Sequence, residues 1–135
     1  MENKQFHLQM IQTIISRMAG NSFFIKGWSV TLASAIFVLS AAHANVNLVY
    51  IAFFPVLAFW MLDGYFLRQE RLFRKLYDVV RIRHEKDIDF SMDTKDLPNI
   101  ASWKRTCVSP TLRLFHGSIV VLILVAVVIM YHKHI

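Results

Sequence analysis

One cysteine, three prolines and four glycines in 135 residues leave little of what a disulfide scaffold, a collagen-like chain or a Gly/Pro-rich disordered segment requires. Charge is also scarce. Asp, Glu, Lys and Arg make up 18% of the chain, below the roughly 25% usual for soluble domains. Catalytic groupings are scarcer still. There is no Gly-rich phosphate loop and no P-loop. The lone Cys107 has no His or Asp close to it in sequence, which leaves a nucleophile unsupported. His7, His43, His84, His116, His132 and His134 are spread over the whole chain. Asp87, Asp89, Ser91 and Asp93 alternate as in a calcium loop, but Met92 stands where that loop needs Gly and Pro98 where it needs Glu. Neither an enzyme, a metal site nor a resident cofactor is expected. Repeats and low-complexity tracts are absent as well.

What the chain has in surplus is apolar residues, at 56%. A single small domain has no interior large enough for them, so they need a second solvent. The surplus sits in three stretches, residues 27–44, 46–66 and 114–131. Eighteen helical residues reach about 27 Å, close to the thickness of the bilayer's hydrocarbon layer, and helix is the form that satisfies its own backbone there. The expected fold class is therefore an all-α membrane protein with three transmembrane helices. The Ala42-His43-Ala44 run imitates a signal-peptide cleavage site, but a basic lead of 26 residues is too long for one, so the first span is expected to be retained.

Lys and Arg set the orientation. Lys4, Arg17 and Lys26 precede the first span, eleven more lie in 67–113, none lies in 45–47, and Lys133 alone follows the third span. Fourteen of fifteen thus share a side, which the positive-inside rule assigns to the cytoplasm of a bacterial inner membrane, with the C-terminus periplasmic. Trp28, Trp60, Tyr65 and Tyr131 fall toward span ends, where amphipathic rings are favoured.

The turn at Asn45 forces the first two spans into an antiparallel hairpin. Lys26 lies 19 residues before Asn45 and Asp63 lies 18 after it, so the two sit at matched depth. They form a candidate charge pair; otherwise Lys26 snorkels to phosphates and Asp63 reaches water. Pro55 removes a backbone bond to Ile51 and predicts a kink. The first span is rich in small residues, with Ser29, Ala33 and Ser40 as candidate pore-lining positions. The third span, uniformly aliphatic from 119 to 129, is expected to face lipid.

Four domain-like segments follow in order along the chain. Residues 1–22 place Phe6, Met10, Ile11, Ile14, Ile15 and Met18 at helical spacing, an amphipathic helix that lies on the bilayer or bundles with copies of itself. The hairpin occupies 23–66. Residues 67–113 form a basic cytoplasmic region, and 114–135 hold the third helix and a short tail. Within the basic region, residues 68–83 set six cations against Glu70 and Asp78, with Glu70–Arg74 and Arg74–Asp78 as i,i+4 pairs. Arg71, Arg74, Lys75, Arg81 and Arg83 are candidate ligands for anionic lipid, for a polyanion such as a nucleotide or oligonucleotide, or for the vestibule of a pore. Residues 85–96 reverse sign, and Ile88, Phe90 and Met92 alternate as in a short extended segment that folds back as a latch.

The order of parts, HLQMIQTIISRMAGNSFFIKGW, a hairpin, then RQERLFRKLYDVV, resembles the small membrane effectors of bacterial anti-phage systems over residues 5–84. It is similar in plan to the SLATT-type proteins and to the effector of the Hailong system. The third span departs from the two-span SLATT plan and is closer to the Hailong one. The resemblance implies a homo-oligomer in the lipid bilayer that damages the inner membrane, and a nucleotide or single-stranded oligonucleotide signal made by a partner nucleotidyltransferase. The reading that competes with such a pore is a non-conducting accessory or scaffold subunit.

Overall fold

The computed structural model describes residues 1–133, so His134 of the tail lies outside the described residues. It is all helical. Helix α1 runs Glu2–His43, α2 Val46–Ile51 and α3 Phe53–Ile82; a 3-10 turn at Glu85–Asp87 and a short α4 at Trp103–Cys107 lead into α5, Pro110–Lys133. Three helical stretches are long and apolar enough to cross a membrane: Glu2–His43, Val46–Ile82 and Pro110–Lys133.

The separate N-terminal helix expected over 1–22 is the first half of α1. No proline interrupts 19–28, and Gly20, Asn21, Ser22 and Gly27 stay helical, so 42 residues form one rod of about 63 Å. Its buried side chains are His7, Ile11, Ile15, Ser22, Ser29, Ala33 and Ser40, spaced by four and seven. That repeat is the buried seam of an antiparallel pair, here chiefly α1 against α3. Phe6 and Met10, the other edge of the expected stripe, stay exposed.

The rod ends in a left-handed residue, Ala44 (φ 49°, ψ 38°). The Asn45 side chain then accepts from the Asn47 N–H at 3.0 Å and caps α2. The Ser40 hydroxyl donates to the Asn45 carbonyl at 2.7 Å and ties the turn to α1. The hairpin's second arm breaks at Ala52, whose N–H turns back to Val49 O at 3.1 Å. Pro55 is the cause, because it offers no N–H to the Ile51 carbonyl.

Two apolar cores stack along the hairpin. In the first, Ala33, Val49, Ala52, Val56, Ile119 and Ile123 join α1, α2, α3 and α5. The third span is therefore lipid-facing on one side only; Leu112, His116, Ile119 and Ile123 form the side that packs inward. In the second, Ile11 and Ile15 meet Leu76, Val80 and Ile88. The acidic segment folds back through Ile88, Met92 and Leu97 onto this core, on the apolar flank of α3. No strand forms among the described residues, and Phe90 takes a left-handed φ of 55° that breaks the expected extended run.

Candidate functional site

Between the two apolar cores lies a knot of polar side chains from three helices. Asp63 of α3 is fully buried. From α1, Lys26 Nζ donates to Asp63 Oδ2 at 2.6 Å and to Ser22 Oγ at 2.8 Å, and the Ser22 hydroxyl donates to Asp63 Oδ1. From α5, His116 Nε2 meets the same Asp63 Oδ2 at 2.8 Å. Seven residues separate Ser22 from Ser29 and four separate it from Lys26, so the α1 seam delivers a serine and a lysine to the level of Asp63. The Lys26 and Asp63 charges cancel, and each removes part of the other's cost in a medium of low dielectric.

Aromatic rings close the knot. Trp60, one turn before Asp63, stacks on the His116 ring with centroids 5.7 Å apart and planes at 14°. Phe115 meets His116 edge-on at 5.1 Å, and Lys26 Nζ lies 5.8 Å from the centroid of Phe115. Trp60 is thus turned inward, and its indole N–H donates to Cys107 O at 2.7 Å. The connection before α5 is fastened to α3 at two further points: Trp103 donates to Met61 O at 3.0 Å, and Arg68 to Ala101 O at 3.2 Å. Burial pushes the Cys107 thiol up from its ordinary range, with the nearby charge of Asp63 adding to the effect. Such a thiol is not activated for attack.

The structure brings Lys26 and Asp63 together and adds Ser22, His116 and Trp60, none of which the sequence alone places beside them. His116 could have been found by depth: it precedes Tyr131 by 15 residues, within one helical turn of the 18 that separate Asp63 from Asn45. The candidate pore-lining residues are corrected. Ser29 and Ser40 are fully buried and Ala33 nearly so, all within the seam between the subunit's own helices. Close packing against α3 and α5 uses their small volume. The face of α1 left open carries other small residues, Gly27, Thr31, Ser34, Ala35, Ala41 and Ala42.

The five basic candidates do not form one cluster. Arg71, Arg74, Lys75 and Arg81 project from the side of α3 away from Leu72, Leu76 and Val80. Arg74 binds Glu70 at 2.8 Å as expected, whereas Asp78 pairs with Arg81 at 3.2 Å instead of with Arg74. Among the described residues Arg71, Lys75 and Arg83 have no acidic partner within ion-pair distance. Arg83 stands past the helix end on a different surface, a cleft of about 370 Å³ shared with Asp89, Asp93 and Asp96. A phosphate-bearing ligand on α3 would therefore meet Arg71, Arg74, Lys75 and Arg81, without Arg83.

No protein-family model, curated protein or solved structure matches the chain.

Proposed function

We propose that this chain is an oligomeric transmembrane effector of the bacterial inner membrane, forming an ion-conducting pore whose state is set by a nucleotide or oligonucleotide signal in anti-phage defence. In this reading the N-terminus and the basic face are cytoplasmic, and Asn45 and the end of α5 are periplasmic. The observation that carries it is the continuity of α3. One unbroken rod holds Asp63 at one level and exposed Arg71, Arg74 and Arg81 two to five turns further on. A polyanion that favours one placement of the basic rods biases the hairpins rigidly joined to them, provided it binds one state more tightly than the other. The open face of α1, with Gly27, Thr31, Ser34 and Ala35, supports close approach of neighbouring copies and gives the lumen a lining of small side chains.

A short single-stranded oligonucleotide added to the cytoplasmic side of a planar bilayer tests the proposal. The wild-type protein should change its open probability, and an Arg74→Ala/Lys75→Ala variant should need at least about tenfold more oligonucleotide, the equivalent of one lost charge-assisted bond. An unchanged response in the variant contradicts it.

The burial of Ser29, Ala33 and Ser40 inside the subunit favours a second reading, a non-conducting accessory or scaffold subunit whose basic face meets anionic lipid or a partner protein. Inducible expression with a potential-sensitive dye separates the two: a released channel collapses the membrane potential, and a scaffold leaves it intact.

A further inference from the structure

The polar knot is over-subscribed on one atom. Asp63 has two carboxylate oxygens and three partners: Ser22 takes Oδ1, while Lys26 and His116 both take Oδ2, at 2.6 and 2.8 Å. Facing a carboxylate oxygen, His116 Nε2 carries the ring proton, and the second ring nitrogen, Nδ1, is then a bare acceptor. Nδ1 is buried and has no hydrogen-bond partner among the described residues, and the whole His116 side chain is fully buried. With His116 neutral, Lys26 and Asp63 balance and the knot carries no net charge. A proton on Nδ1 would place two cations on one oxygen and leave a charged N–H buried without an acceptor.

We propose that His116 is a proton-binding site that latches α5 to the α1–α3 hairpin, and that taking up a proton there releases α5. The titratable and charged groups facing the ring are Lys26 from α1 and Asp63 from α3, with Cys107 of α4 beside Asp63. None of them can neutralise a second cation. In the docked state a proton on Nδ1 finds no acceptor, because the one carboxylate is already taken. The released state exposes the imidazole to solvent, so docking is favoured at high pH and lost as pH falls. The Lys26 side chain is 21% exposed and leaves the knot open on one side. The latch sits where α5 can respond. One helical turn on, its packing continues through buried Ile119 and Ile123, flanked by half-buried Val120, Ala126, Val127 and Met130, while Leu114, Val121, Leu122, Val125, Val128 and Ile129 face outward. Apolar contacts of that kind are satisfied almost as well by lipid, which leaves the polar knot as the specific tie. The latch operates whether or not the subunit conducts.

Spin labels at Tyr65→Cys and Ser118→Cys, in a Cys107→Ser background diluted with unlabelled protein in nanodiscs, report the distance between α3 and α5. The protein should give one narrow distance near about pH 8 and lose that peak to longer, broader distances by about pH 5, the range in which imidazole changes charge. His116→Gln, which keeps an N–H for Asp63 and takes up no proton, should hold the narrow peak at both values. Lys26→Met should hold it too, because Asp63 then balances a protonated His116 alone. A wild-type distance that is the same at both pH values overturns the proposal, and so does an acid transition that survives in His116→Gln or in Lys26→Met. Since the two variants reach the same expectation by opposite chemistry, failure of either to fold leaves the other decisive.

Discussion

Asp63 is the residue on which the helices agree, because its carboxylate on α3 binds side chains of both α1 and α5. Removing it strands a lysine and an imidazole in a dry seam. Asp63→Ala should cost about 3–5 kcal/mol, the range for breaking a buried ion pair, in reversible unfolding from detergent or bicelles. Lys26→Met/Asp63→Ala should recover at least about 1 kcal/mol relative to the sum of the single changes, since the uncompensated lysine is gone. Strict additivity would mean that the pair carries no coupling. Half of this knot was legible in the sequence. A short turn at Asn45 fixes depth by counting outward, and counting puts Lys26 level with Asp63. His116 was harder, because 27 residues of mixed structure lie between Ile82 and Pro110 and hide the register with which α5 returns. Trp60 reads as an interface aromatic from its position near a span end. Its inward turn depends on the Cys107 carbonyl, which no local pattern announces.

At the scale of elements, α3 comes close to the end of α4 at Gly64. A methyl group there would overlap the Cys107 sulfur and lie 3.3 Å from the Cys107 Cα. Gly64→Ala should therefore destabilise by about 1–3 kcal/mol, the usual cost of overpacking, and Cys107→Ala in the same chain should restore most of it in thermal unfolding. No loss in Gly64→Ala would show that the connection does not pack there. Hydrophobic periodicity revealed that α1, α3 and α5 exist, since long apolar stretches and i,i+4 stripes survive in any environment. It misplaced the joints. The stretch from Ala19 to Trp28 mixes glycine, asparagine and serine with aromatics and looks like a break, yet in contact with α3 it stays helical. Likewise Ile88 and Met92 alternate as a strand would, but burying them on Ile11, Ile15 and Leu76 needs one irregular wrap, which Phe90 supplies with its left-handed backbone.

At the scale of the whole molecule, two long rods cross from an apolar zone into a basic end. The apolar zone is rimmed by exposed Phe23, Phe24, Trp28, Phe54, Leu57, Leu122 and Ile129, a surface that water would not tolerate. The basic end is held together by its own core and by Lys4, whose ammonium donates to the carbonyls of Arg81 at 2.9 Å and Arg83 at 2.7 Å, binding the start of α1 to the end of α3. Both the signal-binding proposal and the proton latch need the turn at Asn45 and the basic end at Arg83 to face opposite compartments. The most direct measurement labels single cysteines, Asn45→Cys and Arg83→Cys in a Cys107→Ser background, with a membrane-impermeant thiol reagent on spheroplasts. Asn45→Cys should react in intact spheroplasts and Arg83→Cys only after permeabilisation; reaction of both from the same side would contradict the account.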